Sequence, residues 1–89
     1  MQAHLIIIGL VQGIGYRQFV KSHAKKLNVG GWVKNLPDSS VEALLQGNKK
    51  SIEELVSLCK KGPFLAEVTD VHITWEKELT QYTSFSILQ

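Results

Sequence analysis

Two spaced glycines followed by an arginine form the stretch of this chain best suited to binding an anion. Gly13, Gly15 and Arg17 come directly after an apolar run, and Arg17 is the only arginine in the sequence. Its planar guanidinium can hold two oxygens of one phosphate or carboxylate at once. The glycines let the backbone approach a ligand closely, and a helix that begins near Tyr16 would add its unpaired N-terminal amides. This pattern indicates an oxyanion site.

The glycine pattern taken alone also has a purely structural explanation. It does not match the dinucleotide-binding GxGxxG fingerprint, because position 18 is glutamine, and it lacks the Gly-Lys-Ser/Thr of a P-loop. Gly-x-Gly before a helix is also typical of a tight strand-to-helix turn that binds nothing. The presence of Arg17 favours the anion site only modestly, so both interpretations stay open at this point.

A second stretch, GWVKNLPDSSVEALLQG at residues 31–47, adds weight to the first. Together the two stretches resemble the acylphosphatase family. The first carries that family's Gly-x-Val-Gln-Gly-x-Gly-aromatic-Arg signature, at Gly9, Val11, Gln12, Gly13, Gly15, Tyr16 and Arg17. The second carries Gly-aromatic-Val-Lys-Asn at residues 31–35, followed by Val41 and Gly47 at the expected spacing.

The resemblance covers essentially the whole chain, since GPFLAEVTDV and the final Phe-Ser-Ile fit the family's looser ending. Two positions depart from the family pattern. Leu10 stands where a polar or basic residue is common, and Ser39 stands where a turn glycine is usual. Neither departure touches the residues that carry the chemistry, but Ser39 bears on the geometry of the turn.

The resemblance implies hydrolysis of acyl phosphates to a carboxylate and inorganic phosphate. It implies that Asn35 orients the attacking water and that phosphate is bound by Arg17 and by the loop amides of Gln12, Gly13, Ile14, Gly15 and Tyr16. On residue type alone, Asn35 could equally be the last polar residue before a turn. The leaving carboxylate has a conjugate acid with a pKa of about 4, so it departs without a general acid. Positioning and charge stabilisation then suffice, and we expect no metal ion or organic cofactor.

The remaining chemistry-bearing side chains receive no role. His4, His23 and His72 are scattered along the chain, and no CxxC or Cys/His cluster suggests a metal site. Cys59 falls on the apolar stripe of a predicted helix, where cysteine behaves as a small hydrophobe. No neighbouring motif would lower its pKa, so we expect an inert thiol.

Length and composition are those of an ordinary small globular protein. We expect one domain over residues 1–89, with 44% hydrophobic residues, 20% charged residues and a net charge of +2. This charge gives no strong attraction to nucleic acid. A single cysteine allows no internal disulfide, and the N-terminus lacks the features of a secretory signal. We therefore expect a cytoplasmic protein with no membrane or nucleic-acid partner, and we also expect a monomer. The family resemblance implies a small-molecule acyl phosphate as substrate.

Apolar runs and alternations predict five strands, at residues 5–11, 32–36, 41–46, 70–75 and 84–87. Helical periodicity predicts helices at residues 16–28 and from residue 51 to a stop at 60–63, and the apolar face of the first contains Tyr16, Phe19, Val20, Ala24 and Leu27. The order is βαββαβ with one further strand. It predicts an α+β, ferredoxin-like sandwich, in which two helices cover one face of an antiparallel-rich sheet of four to five strands. The family resemblance implies the same fold.

Two local details are also predicted. Ser51 and Glu54 have the spacing of a capping box at the start of the second helix. Leu36, Pro37, Asp38 and Ser39 suit a type I turn in which Ser39 takes a left-handed backbone conformation and forms a bulge.

Three other functions compete with the hydrolase. A binding module could keep the anion site within a larger assembly, for example one that uses carbamoyl phosphate; the end of the sequence at its last strand, without a linker, favours a free-standing enzyme. An RNA-recognition domain shares the element order but needs exposed aromatic residues on its central strands, which LIIIGLV lacks. A ferredoxin-like metal chaperone would need a CxxC motif, which is absent.

Overall fold

Seven elements follow one another in the predicted order in the computed structural model, which describes residues 1–88. They are β1 (Gln2–Leu10), α1 (Tyr16–Lys26), β2 (Gly30–Asn35), β3 (Val41–Gln46), α2 (Lys49–Lys61), β4 (Glu67–Glu76) and β5 (Phe85–Ile87). The strands form one sheet in the order β4-β1-β3-β2-β5. The predicted α+β, ferredoxin-like fold is confirmed.

The pairing of the strands brings three chain segments to one end of the sheet. β1 pairs antiparallel with β3 and β4, β2 pairs antiparallel with β3, and β2 pairs parallel with β5. Because β1, β2 and β5 run in the same direction, their C-terminal ends lie at the same end of the sheet. This end therefore holds the loop after β1, the β2–β3 turn and the last described residues.

Both helices pack on one face of the sheet, as predicted. The inward-facing residues of β1 are fully buried, as are the central positions of both helices: Ala3, Leu5, Ile7, Val20, Ala24, Ile52, Leu55 and Cys59. On α1, Tyr16 is also buried, while Phe19 and Leu27 pack at the rim of the core. This apolar layer anchors α1, so that its first turn is fixed relative to the end of β1.

The opposite face of the sheet is more polar, which also agrees with the prediction. His4 on β1 and Glu42 on β3 are joined by a 2.6 Å contact between Nε2 and Oε2. The Lys34 ammonium on β2 lies 3.5 Å from the other Glu42 oxygen and 5.3 Å from the ring centre of Trp32. These side chains cover the sheet without a third layer.

Several predicted boundaries are wrong by a few residues. β1 begins at Gln2 instead of Leu5, because residues 2–4 pair with both neighbouring strands. β2 begins at Gly30, since Gly30 and Gly31 belong to the ladder with β3, and it ends at Asn35. α1 stops at Lys26, and Asn28 follows with a left-handed φ of 57°.

Gly31 shows why glycine lies inside this strand. Its φ is 132°, and a Cβ there would lie 1.8 Å from the Leu44 carbonyl oxygen on β3.

β4 extends over residues 67–76, and Val71 and Ile73 are half-buried as predicted. Trp75 is instead 42% exposed, because β4 is an edge strand.

The predicted cap of α2 is wrong. Asn48 caps the helix, and its side-chain oxygen accepts a 2.8 Å hydrogen bond from the amide of Ser51. Ser51 thus lies inside the first turn, three residues after the cap. Asparagine in an extended conformation satisfies the helix amides at least as well as serine, so the earlier residue serves as the cap.

The left-handed conformation predicted for Ser39 in the β2–β3 turn is confirmed. The Ser39 amide donates to the Leu36 carbonyl at 3.2 Å, and Ser39 has a φ of 76°. The Leu36 amide donates to the Ser40 carbonyl at 2.9 Å, which closes the hairpin. The hydroxyl and amide of Ser40 donate to Asp38 Oδ1 at 2.5 and 3.0 Å, and these bonds lower the pKa of the Asp38 carboxyl.

Candidate active site

A cleft of about 260 Å³ opens at the end of the sheet where β1, β2 and β5 terminate. Residues from all three segments and from the first turn of α1 line it: Val11, Gly13, Gly15, Tyr16, Arg17, Gln18, Asn35 and Ile87. The structure therefore brings Arg17 and Asn35 to one site, although 18 positions separate them in the sequence.

The loop between β1 and α1 has backbone amides that are available to bind a ligand. Gly13 and Gly15 have φ values of 76° and 79°, and a Cβ added at either would meet nothing within 4 Å. Glycine is therefore required here by the backbone conformation and not by lack of space. Within residues 1–88, the amides of residues 12–18 donate no hydrogen bond, and the first helical bond runs from the Phe19 amide to the Gly15 carbonyl at 3.0 Å.

Arg17 is the second residue of α1 and adds a charge to these amides. Its side chain is half-buried at the cleft, and it forms no ion pair with any carboxylate of residues 1–88. The first turn of α1 has no acidic residue and no side-chain cap. The positive end of the helix dipole and the guanidinium therefore act together on this cleft.

Asn35 is the last residue of β2 and lies opposite Val41 of β3. Its Oδ1 atom is buried and accepts no hydrogen bond from residues 1–88. A buried acceptor without a donor costs about 1–3 kcal/mol, so such atoms usually have a role that offsets this cost. Asn35 also lines the cleft, and a side-chain amide there can exchange hydrogen bonds with a bound water.

The other predicted phosphate-binding residues differ in where their side chains lie. The buried Tyr16 hydroxyl donates to the Cys59 carbonyl at 2.8 Å, and burial raises the pKa of this phenol well above its usual value. Ile14 packs against the core, and the Gln12 side chain contacts the β2–β3 turn. Gln12 and Ile14 are not among the residues that line the cleft, so their backbone amides stay predicted ligands that the lining does not support.

Sequence reasoning missed three cleft residues. Val11 ends the apolar run and Gln18 lies in the first turn of α1, so both are neighbours of residues already singled out. Ile87 comes from β5, which reaches the site through parallel pairing of Val33 with Ile87. Only the position of β5 in the sheet could have indicated this residue.

Within residues 1–88, the cleft lining contains no set of metal ligands and no Cys, Ser or Thr that could act as a nucleophile. Within residues 1–88, no three His, Cys, Asp or Glu side chains lie together as potential metal ligands. Cys59 is fully buried in α2, and burial raises the pKa of its thiol to about 12. His72 pairs with Asp70 on the edge strand β4, with 3.2 Å between Nε2 and Oδ2.

Of the helices in residues 1–88, none has the length and apolarity needed to span a bilayer.

Comparison with known proteins agrees with this geometry. The family model "Acylphosphatase" matches residues 3–87. The chain is 47% identical over 77 residues to an acylphosphatase of Thermococcus kodakarensis, covering 86% of this chain and 85% of the relative. It superposes on the acylphosphatase of Bacillus subtilis with a TM-score of 0.96 and 38% identity, over 99% of this chain and 98% of that one.

A longer protein contains the same fold. The chain is similar to part of HypF from T. kodakarensis, with a TM-score of 0.87 and 31% identity, over 100% of this chain but 12% of that one. The free-standing relatives match nearly end to end and are named for the hydrolysis of acyl phosphates. The chain therefore belongs to the acylphosphatase family, and it is an acyl phosphate hydrolase.

Proposed function

We propose that Arg17 and the loop amides of residues 12–16 bind the phosphoryl group of the acyl phosphate, while Asn35 orients the attacking water. The guanidinium fork and several convergent amides match the three outer oxygens of a phosphoryl group. Their donors hold the charge in place before the reaction, which lowers the barrier without reorganisation. Released inorganic phosphate would occupy the same donors as product.

Asn35 has the chemistry that the water position requires. Its Oδ1 atom can accept a hydrogen bond from the water, and its Nδ2 atom can donate one to the water oxygen. A water held in this way keeps a fixed direction of attack, opposite the leaving carboxylate. The buried Oδ1 atom without a donor in residues 1–88 supports this role.

One observation carries the proposal: Arg17, Asn35 and the loop glycines Gly13 and Gly15 line a single cleft. An isolated glycine turn would not need an arginine beside it or an unpaired amide carbonyl opposite it. The tight-turn interpretation leaves these two side chains unexplained.

Substitution of Arg17 tests the phosphate site. Lysine keeps the charge but not the two-pronged grip, so Arg17→Lys should lower kcat/KM for benzoyl phosphate by about 10²- to 10³-fold. Lys21→Ala is the matched control, because it removes an exposed positive charge one helical turn away. It should stay within about twofold of wild type. Near-normal activity of folded Arg17→Lys would exclude Arg17 as the phosphate ligand.

Substitution of Asn35 tests the water site separately. Asn35→Ala should lower kcat by about 10- to 100-fold while inhibition by inorganic phosphate is largely kept, because the water is held mainly in the transition state. Steady-state kinetics with phosphate as inhibitor measure both quantities. Equal losses in kcat and in phosphate affinity would instead make Asn35 a phosphate ligand.

The alternative is a module that keeps the anion site but handles carbamoyl phosphate or binds without hydrolysis. The likeness to 12% of HypF shows that this fold can form one part of a longer protein, which is the basis for considering a module. Turnover of acetyl, benzoyl and carbamoyl phosphate compared at equal enzyme concentration separates the two. Phosphate binding without turnover of any of them would favour the module.

We further propose that the active unit is a cytoplasmic monomer. Every proposed donor at the cleft comes from one chain, and the single buried cysteine suits a reducing compartment. Activity that is independent of protein concentration, together with a monomeric mass in solution, would support the monomer.

A further inference from the structure

We propose that the Gln12 side chain is a positioning residue that fixes Asn35 relative to the phosphate loop. The inference rests on the proposed roles of Arg17 and Asn35. It assigns to Gln12 a task separate from its backbone amide, which remains a candidate phosphate donor.

The Gln12 side chain links two parts of the site that are distant in sequence. Its Nε2 donates to the Leu36 carbonyl at 2.9 Å and to the Ser40 carbonyl at 2.7 Å. Leu36 directly follows Asn35, and Leu36 and Ser40 are the residues that close the β2–β3 turn. A single amide group thus donates both of its protons, one to each side of the β2–β3 turn.

The backbone of the same residue begins the phosphate loop. Gln12 follows the cleft residue Val11 and precedes Gly13, which takes a left-handed φ. The side chain is half-buried, and it replaces the water that would otherwise solvate the two carbonyls. A shift of the hairpin relative to the loop would therefore strain or break these bonds.

These two hydrogen bonds determine the distance between the phosphorus atom and the attacking water in the proposed site. The loop and Arg17 set where the phosphorus atom lies, whereas the hairpin sets where the Asn35-bound water lies. A displacement of about 1 Å between reacting groups can cost a factor of about 100 in rate. Gln12 should therefore affect turnover much more than phosphate binding.

Gln12→Met is the principal test, since methionine is similar in length and has no donor. We expect kcat for benzoyl phosphate to fall by about 10- to 100-fold, while the inhibition constant of inorganic phosphate stays within about threefold. Unchanged kcat overturns the inference. So does a loss of phosphate affinity equal to the loss in kcat, because Gln12 would then shape the phosphate loop and not the water position.

The control removes the same chemical group elsewhere. Gln46, at the far end of β3, is buried, and like Gln12 it donates two hydrogen bonds from Nε2, to Gln2 Oε1 and to the Thr80 carbonyl. Gln46→Met should lower the midpoint of unfolding but leave kcat within about twofold of wild type. If both variants lose kcat in proportion to stability, Gln12 has only a structural role.

A double-mutant cycle separates this inference from the proposed function. If Gln12 acts through Asn35, the Gln12→Met/Asn35→Ala protein should have the kcat of Asn35→Ala within about twofold. Independent, multiplying losses overturn the inference. Normal kcat in Asn35→Ala alone would contradict the proposed function, whereas a slow Asn35→Ala with a normal Gln12→Met contradicts only the positioning role.

Gln12→Glu serves if Gln12→Met does not fold. The ionised carboxylate would face two carbonyl oxygens, whereas the protonated acid can donate one bond. The ratio of variant to wild-type kcat should therefore rise as the pH falls. A ratio that is constant with pH overturns the inference.

Discussion

Two buried polar groups near the start of α1 illustrate how individual residues divide between structure and function. The Tyr16 hydroxyl has its partner within the chain, the carbonyl of Cys59. Asn35 Oδ1 has no donor within residues 1–88. The first arrangement stabilises the fold, whereas the second leaves an unpaired acceptor that the proposed water would satisfy.

Substitution of Cys59 tests whether this residue contributes only to the stability of the fold and not to catalysis. Cys59→Ala should leave kcat within about twofold of wild type and lower the free energy of unfolding by about 1–2 kcal/mol, because it opens a small cavity beneath α2. Steady-state kinetics and urea unfolding measure the two effects. Inactivation of the folded variant would contradict the assignment.

The raised thiol pKa gives a second measurement on the same residue. With a pKa of about 12, almost no thiolate is present at pH 8, so iodoacetamide should react slowly with the native protein. The urea-unfolded protein is the control and should react at the rate of an ordinary cysteine.

At the residue scale, the sequence indicated Arg17 through its rarity and its position after two glycines. Asn35 was different, because an asparagine before a turn has a sufficient structural explanation and only the family resemblance singled it out. Its unpaired Oδ1 is visible only in three dimensions. The Gln12 bonds are likewise invisible in the sequence, since their acceptors are backbone carbonyls that any residue supplies.

At the scale of elements, the β2–β3 hairpin carries Asn35, and its turn contains a strained residue. Ser39 has a φ of 76°, a conformation that costs a residue with a Cβ roughly 1–2 kcal/mol. Glycine avoids this strain but gains freedom in the unfolded chain, worth about 0.5–1 kcal/mol. Ser39→Gly should therefore be neutral to about 1 kcal/mol stabilising, with kcat almost unchanged.

Urea midpoints at equal m-value measure this effect. Ser57→Gly is the matched control, because Ser57 is exposed inside α2 and the same change should destabilise the helix by a few tenths of a kcal/mol. Clear destabilisation by Ser39→Gly would mean that the Ser39 side chain supports the turn.

The capping of α2 shows where local patterns fail. Ser51 and Glu54 had capping-box spacing, but Asn48 is an equally good cap three residues earlier. The choice depends on where the chain leaves β3, which the pattern does not contain. The turn was predictable, by contrast, because Pro37 and Asp38 favour one turn type and the left-handed position follows from it.

At the scale of the whole molecule, the cleft exists because three strand ends meet. The element order was predictable from apolar periodicity, and it implied the ferredoxin-like sheet. The contribution of Ile87 was not predictable, since it depends on β5 pairing parallel to β2 across more than 50 residues of sequence. The local order of apolar and polar residues does not show which distant strand a strand will pair with.

Because the cleft forms only when these ends meet, phosphate should bind the folded protein and stabilise it. At ten times its dissociation constant, phosphate should contribute about 1.4 kcal/mol, or about 6–11 °C in Tm for a chain of this size. Thermal unfolding with phosphate, and with chloride at equal ionic strength, measures the shift. Arg17→Ala should abolish it, whereas Lys21→Ala should retain it, because Lys21 does not line the cleft. A shift that survives in Arg17→Ala, or that chloride reproduces, would place the anion site elsewhere.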